Sequence, residues 1–332
     1  MSESKTSKIK VSVIIPAYNA AHILPTSLGP VVHQSLNDIE IIIINDASSD
    51  NTLEILMRCQ SQFPSLVKII NSKENLGPGG ARNLGIDAAS GDYIGFADAD
   101  DFVSDRLFER LYEKAIEGDY DIVDCGMIFK AEEKAIIYTG DNVTGTLDDD
   151  KRSRLIVGGG YLYTKLYKRY LFENPPVRMR NNCILEDSDI LTYMFAKAKS
   201  IGNVKEILYQ YNNEAESASK IQEPQKYCEN IYNAMLANYE RVHDLTNYQG
   251  IKMAVEYEIA QMYVYGLTMC LKAQMDGVKK ERFDHIEWMK RLAAAKKKTI
   301  TIPYEENKYV MEKIDKIDIR NIKGNDKRFE DI

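Results

Sequence analysis

No Cys-x-x-Cys pair occurs in this chain of 332 residues, and its five cysteines (Cys59, Cys125, Cys183, Cys228, Cys270) are scattered and odd in number. Nor do the four histidines, His22, His33, His243 and His285, stand at ligand spacing from a cysteine. These absences exclude a disulfide framework and a structural zinc site, and they fit a reduced, cytoplasmic protein. No run approaches the roughly 18 apolar residues of a membrane span. The longest apolar stretches, around 11–15 and 39–44, have the length of a strand. The polar N-terminus lacks the apolar centre of a signal peptide. Positive charge is in deficit: 43 Lys and Arg stand against 50 Asp and Glu, a net charge of −7, which argues against a nucleic-acid binder. Hydrophobic residues at 44% and charged residues at 28% leave out disordered and collagen-like classes and provide for a core.

The first 125 residues alternate strand and helix signals. Strands are predicted at 11–15, 40–45, 66–70, 93–97 and 121–125, with helices at 23–35, from Ser48-Ser49-Asp50-Asn51 to 62, from Pro78 to 89, and at 105–117. The 40–45 segment is too apolar to have a wet face, so it belongs in the centre of a parallel sheet. Strands separated by such helices form βαβ units. The expected fold class is therefore α/β. Residues 126–150 read as a hairpin or loop, Gly158-Gly159-Gly160 as a turn, 186–198 as a helix and 207–211 as a strand. Only helices are predicted from 222 onward. Met253, Tyr257, Ala260, Val264, Leu267 and Leu271 form one apolar stripe, Tyr227, Ile231, Met235, Tyr239 and Val242 another, and both are expected to face the core.

Ligands of open α/β sheets bind beyond the carboxyl ends of the strands. Three predicted strands end there in unusual polar residues: Pro16-Ala17-Tyr18-Asn19, Asn45-Asp46-Ala47-Ser48 and Asp98-Ala99-Asp100-Asp101. Several acidic positions crowded after an apolar strand repel one another, and a divalent cation supplies a reason for them. Asp98–Asp101 is not an EF-hand, because Phe102 and Val103 hold the fifth and sixth positions. Helix capping could explain Asp101 or Asp105, but not Asp98 and Asp100 together. The run Gly77-Pro78-Gly79-Gly80-Ala81-Arg82 is not a dinucleotide fingerprint, since Arg82 stands where the third glycine should be.

Four motifs occur in order: Val13-Ile14-Ile15-Pro16-Ala17-Tyr18-Asn19; Asn45-Asp46-Ala47-Ser48-Ser49-Asp50; Asn75-Leu76-Gly77 with Ala81-Arg82-Asn83; and Gly91-Asp92-Tyr93 through Asp98-Ala99-Asp100-Asp101. Together they resemble family 2 of the nucleotide-sugar glycosyltransferases, enzymes of the GT-A fold that invert the anomeric centre. The resemblance covers residues 8–125 and continues more weakly to 215. It implies a mostly parallel GT-A sheet flanked by helices, a glycosyltransferase domain over 8–215 (nucleotide-binding half 8–125, acceptor half 126–215) and a helical region over 220–332. Where many members have Asp-Asp-Gly-Ser, this chain has Asn45-Asp46-Ala47-Ser48.

The resemblance also implies roles. Pro16 and Tyr18 would lie at the nucleobase, Asp46 would accept from a uracil-type N–H, and Arg82 would approach the base or diphosphate. Asp98 would touch the ribose and, with Asp100, hold Mg²⁺ or Mn²⁺. The family carries a downstream Glu-Asp pair, matched here by Glu186-Asp187. Asp187 is then the general base for the acceptor hydroxyl. Lys165 and Glu186 would line the acceptor or diphosphate site, although a solvated strand lysine explains Lys165 as well.

The implied partners are a nucleotide-sugar donor, probed first as a UDP-sugar, and a glycan or lipid-linked acceptor of bacterial surface polysaccharide synthesis; nucleic acid is not among them. The Gln-x-x-Arg-Trp motif of processive synthases is absent, the one tryptophan being Trp288, so a single sugar is expected per encounter. Phe283, Ile286, Met289, Leu292 and Ala293 can share a helix face ahead of Lys296-Lys297-Lys298, a pattern that suits peripheral contact with the inner membrane face. A sugar-nucleotide pyrophosphorylase and a non-catalytic nucleotide- or carbohydrate-binding module remain as alternatives.

Overall fold

The computed structural model describes residues 8–137, 139–212 and 223–315. The boundary expected at 215–220 and the chain after 315 lie outside them. The nucleotide-side half builds β1 (Val11–Ala17), α1 (Leu24–Val32), β2 (Ile39–Asn45), α2 (Thr52–Gln62), β3 (Val67–Asn71), α3 (Gly77–Ala88) and β4 (Tyr93–Phe96). All four strands pair in parallel in the order β3-β2-β1-β4. Every residue of β2 is buried, as its unbroken apolar run requires of a central strand.

The chain continues through β5 (Phe102–Val103), α4 (Leu107–Glu117), β6 (Ile122–Phe129), β7 (Lys134–Ile136), β8 (Gly145–Thr146) and α5 (Asp149–Gly158). Then come β9 (Lys165–Lys168), α6 (Tyr170–Glu173), α7 (Glu186–Lys197) and β10 (Ser200–Tyr211). The sheet runs on as β4-β9-β6-β10-β5. β9 is wedged antiparallel between β4 and β6, whereas β6 and β10 are parallel. The β6–β7 pair is the hairpin expected within 126–150. The result is the expected α/β class with a mostly parallel sheet. The added features are the short β5 and β9, the latter placed between strands far from it in sequence.

Glu40 lies inside β2 at 2% exposure. Its carboxylate accepts from Ser12 Oγ at 2.6 Å, from Ser90 N–H and Oγ at 2.7 Å each, and from Lys68 Nζ at 2.5 Å. Burial alone would push this carboxyl up, but Lys68, Ser12 and Ser90 outweigh it and hold it below the ordinary glutamate value. Glu40→Ala is expected to cost about 2–3 kcal/mol of stability, discounted because Lys68 is itself largely solvated. A depressed carboxylate gives stability that is present above its unfolded pKa and lost as pH falls through the folded one. The gap between variant and wild type in chemical denaturation should therefore narrow on acidification.

The helical region comprises α8 (Pro224–Val242), α9 (Tyr248–Met275), α10 (His285–Thr299) and α11 (Lys308–Asp315). It packs on the sheet region through α9 against α5 and α8 against α7. The stripe expected on α9 is only partly buried, through Tyr257 and Ala260. Ile251, Val255, Ile259, Met262, Gly266 and Cys270 face inward, while Met253, Val264 and Leu271 are 37%, 49% and 51% exposed. Gly266 packs closely there: a Cβ on it would stand 2.8 Å from Leu292 Cδ1. On α8, by contrast, Ile231, Met235 and Val242 are buried as expected.

The apolar face expected on α10 is only partly exposed. Phe283 and Leu292 are buried with Trp288 and Ala295, leaving Ile286 exposed. Lys298 pairs with Glu240, and Lys296 lies 4.3 Å from the Tyr304 ring centre. Phe283 and Leu292 are thus spent on internal packing, while Ile286 and Ala293 stay exposed. Among the described residues, no helix is long and apolar enough to cross a membrane.

Candidate active site

The carboxyl ends of β1, β2 and β4 open on one edge of the sheet, the edge where such sheets take ligands. β1 runs two residues past its expected end. Pro16 pairs in register with Ile44, beyond the last β1–β4 pair at Ile14 and Phe96. Its missing N–H thus falls where β4 has already ended. Tyr18 follows at 54% exposure. Asn19 and Ala47, in the loops after β1 and β2, have left-handed backbones with φ of 48° and 55°. Such positions cost strain in a non-glycine residue, and Ala47 occupies the place where the family pattern has glycine. The strain is held by cross-loop bonds. Asn19 N–H donates to Ser48 Oγ at 3.0 Å, Ser49 N–H to Asn19 Oδ1 at 2.9 Å, and Ala20 N–H to Thr52 Oγ1 at 2.8 Å.

Asp46 is buried beside these loops and accepts the Leu76 N–H at 2.8 Å. Burial pushes its carboxyl up, and the backbone N–H groups of Leu76 and Gly77 pull part of that back. The glycines of 77–80 serve close packing here. A Cβ on Gly79 would sit 2.3 Å from the Arg180 carbonyl oxygen, and one on Gly80 would sit 2.5 Å from Leu76 Cβ. The segment 180–182 therefore lies directly on the start of α3, where Asn182 N–H donates to Leu76 O at 2.8 Å.

Arg82 is the hub. Rather than a surface arginine, it is 5% exposed. Its guanidinium reaches Asp98 Oδ1 at 2.6 Å through Nη2 and Glu186 Oε1 at 2.9 Å through Nη1. These carboxylates are brought together from β4 and α7. Asp100 is exposed to the cleft, and its carboxyl is raised by partial desolvation and by the charge of Asp98. Asp101 caps no helix. It is buried, accepting Tyr209 O–H at 2.7 Å and Asn212 N–H at 2.8 Å. Burial, with Asp98 nearby, pushes it to about 8. The same Tyr209 hydroxyl accepts the Asp98 N–H at 3.1 Å.

Leu185 turns the chain into α7 with a left-handed φ of 60°. Glu186 is buried against Arg82, and Asp187 is half-buried in the first helical turn. Burial raises the Asp187 carboxyl; Arg82 opposes this, while Asp98 and Asp189 add to it. Asp189, fully buried, is gripped by Arg180 at 3.3 Å and by Arg241 of α8. The structure thus brings Arg82, Asp98 and Glu186 into contact, with Asp100 and Asp187 beside them, while Pro16, Tyr18 and Asp46 stand at the carboxyl ends of β1 and β2 on the same edge of the sheet.

Lys165 is the exception. It is 1% exposed, not solvated, and its ammonium bonds Tyr161 O at 2.9 Å and Thr164 Oγ1 at 3.2 Å, with Asp124 at 3.3 Å. A lysine fully engaged within the core cannot line an acceptor or diphosphate site. Sequence reasoning missed Tyr209, Arg180 and Arg241, which act through tertiary contacts and carry no motif.

Among the described residues, no three His, Cys, Asp or Glu side chains converge to hold a metal by themselves. Mg²⁺ characteristically takes one or two carboxylates and completes its shell with substrate phosphates and water. Asp98 and Asp100 supply such a partial set, and the mutual repulsion that raises Asp100 is what a cation would relieve. The residues present therefore fit a divalent ion delivered with a phosphorylated ligand.

A family model described as Glycosyl transferase family 2 matches residues 12–189. The uncharacterized glycosyltransferase EpsJ of Bacillus subtilis is 32% identical over 222 residues, 64% of this chain and 63% of that protein. The poly(ribitol-phosphate) beta-glucosyltransferase of Bacillus spizizenii is 25% identical over 327 residues, 96% of this chain and 49% of that protein. The chain thus spans less than two thirds of the length of these curated relatives. Among solved structures, S. aureus TarS in complex with UDP-GlcNAc superposes with a TM-score of 0.73 at 20% identity, covering 92% of this chain and 85% of that one. This likeness shows the fold, the GT-A arrangement expected from the sequence.

Proposed function

The chain belongs to glycosyl transferase family 2, and from that membership we propose that it is a metal-dependent inverting glycosyltransferase. It moves one sugar from a nucleoside-diphosphate sugar, a UDP-sugar, to a hydroxyl of a glycan or lipid-linked acceptor in bacterial surface polysaccharide synthesis. Of the readings left open by the sequence, family membership favours the transferase. We further read 8–215 as the transferase unit and 220–332 as the helical region.

One observation carries this reading: Arg82 of α3 binds Asp98 at the end of β4 and Glu186 at the start of α7, so donor-side and acceptor-side carboxylates share one centre. Tyr18 offers an exposed ring face to the nucleobase, and Asp46 offers a buried carboxylate beside it. Asp98 and Asp100 would hold Mg²⁺ or Mn²⁺, whose charge offsets that growing on the departing nucleoside diphosphate. Asp187 takes the proton of the acceptor hydroxyl. The oxygen attacks the anomeric carbon as the bond to the diphosphate breaks on the opposite face. Glu186 and Asp98 hold the Arg82 fork, which keeps a positive charge beside both carboxylate groups.

Titration calorimetry with UDP and GDP, each with Mn²⁺ and with EDTA, tests the donor site. One nucleotide is expected to bind, at least about tenfold more weakly (~1.4 kcal/mol) in EDTA or in Asp100→Ala. Equal binding with and without metal would remove the metal role. Binding of neither nucleotide in any condition would overturn the donor reading.

A further inference from the structure

Along the turn that follows β4, exposed and buried residues alternate. Asp98 is half-buried and Asp100 exposed, whereas Ala99 and Asp101 are buried. The Asp101 N–H donates to Asp98 O at 3.2 Å and closes the turn. Two carboxylates carried on so short a turn repel each other. Keeping them together before a cation arrives takes bracing from the buried residues.

That bracing comes from two elements far away in sequence. Ser27 of α1 is 3% exposed and donates through Oγ to the Ala99 carbonyl oxygen at 2.6 Å. Tyr209 of β10 is 1% exposed, and its one hydroxyl serves both ends of the turn. It accepts the Asp98 N–H at 3.1 Å and donates to Asp101 Oδ2 at 2.7 Å. Asn212 N–H takes the other Asp101 oxygen at 2.8 Å.

The Tyr209 hydroxyl is itself fixed. Its ring stacks on Tyr163 with centroids 4.5 Å and planes 22° apart. Its backbone pairs with Val103 of β5, and Ser104 N–H donates to Leu208 O at 2.8 Å. A phenylalanine at 209 could keep the stack and the strand pairing, so packing alone does not call for the hydroxyl. The turn does: without it the Asp98 N–H has no acceptor and Asp101 loses a donor. Arg82 would still hold Asp98 Oδ1, so the loss falls on position rather than on charge.

We propose that Tyr209 and Ser27 are positioning residues of the cation site, fixing the 98–101 turn so that Asp98 and Asp100 stand ready for a divalent ion arriving with the nucleoside diphosphate. The proposal rests on the metal-dependent reading above. A site already in its bound arrangement spends less of its binding free energy on ordering. It gives β10, which lies beyond the matched family segment, a part in donor binding.

The test is titration calorimetry of the full chain with UDP, in Mn²⁺ and in EDTA. Tyr209→Phe is expected to weaken binding about fivefold in Mn²⁺, the effect of one well-placed hydrogen bond. In EDTA, and in an Asp100→Ala background, the same substitution should change binding by less than about twofold, because the site it positions is then unused. A merely structural role would lower binding alike in all three. Ser27→Ala, which releases Ala99 instead, is the second variant should thermal unfolding show Tyr209→Phe to be misfolded, and the same pattern is expected of it. Unchanged Mn²⁺–UDP binding in the folded variant, or an equal loss in EDTA, would overturn the proposal alone. Wild-type binding that ignores Mn²⁺ would instead strike the metal reading, and this inference with it.

Discussion

Asp187→Asn is expected to lower kcat by about 10²–10⁴-fold, the usual contribution of a general base, while leaving nucleotide binding unchanged. The group sits half-buried in the first turn of α7, fixed by the left-handed Leu185 before it. Burial raises its proton affinity, and Asp98 and Asp189 add to this against the opposing charge of Arg82. A raised carboxyl loses its basic form at a higher pH than an ordinary aspartate, whose pKa is about 3.9. The acid limb of kcat/KM should accordingly lie above that value in wild type and vanish in the asparagine variant. Stability should move the other way. A carboxyl raised in the folded state gives stability that is full below its unfolded pKa and lost as pH rises through the folded one. The neutral asparagine avoids that loss, so its melting temperature at pH 8 should equal or exceed that of wild type. Initial rates of UDP release across pH, with thermal unfolding of the same preparations, check both parts. A rate within about tenfold of wild type would remove Asp187 from the base role.

Arg82→Met is expected to be the most damaging substitution for the fold of the cleft. Asp98 and Glu186 side chains are only 23% and 10% exposed, and Arg82 joins them from within the protein. Its loss leaves two desolvated carboxylates facing one another. Breaking a buried ion pair costs about 3–5 kcal/mol, and the partial exposure of Asp98 favours the lower end. At this size each kcal/mol lowers the melting temperature by about 2–4 °C. Burial already raises Glu186 even with Arg82 beside it, so without the arginine Glu186 takes up a proton more readily. The deficit should therefore be larger at pH 8 than at pH 5.5, because protonation relieves the repulsion. Arg82→Lys should rescue little, since one ammonium cannot span two carboxylates as the guanidinium fork does. Thermal unfolding at the two pH values decides it. A melting temperature within about 2 °C of wild type would show that the hub does not hold the cleft together.

The motif residues and the strands that carry them were legible in the sequence because both are local. An apolar run such as 40–45 declares a buried strand through its own composition, and polar residues at its carboxyl end declare a ligand edge through the topology such strands impose. Asp46, Asp98 and Asp100 were accessible on that reasoning, and Glu186-Asp187 through family resemblance. What tertiary structure decided was partnership. Arg82 could be seen to open a helix, but its pairing with Glu186 joins residues 104 positions apart. Lys165 reads as a strand lysine, and only the wedging of β9 between β4 and β6 seals it in the core. Tyr209 gains its place beside Asp98 and Asp101 because β10 pairs with β5, just after the acidic turn. On α9 the period was right and the face only partly so, since Tyr257 and Ala260 are buried but Met253, Val264 and Leu271 are exposed. Hydrophobicity gives a helix its stripes, but a close approach such as Gly266 against Leu292 exists only once the neighbouring helix is in place. Periodicity and composition are properties of one segment, whereas close packing and charge pairing are properties of two, and the second segment is supplied only by the fold.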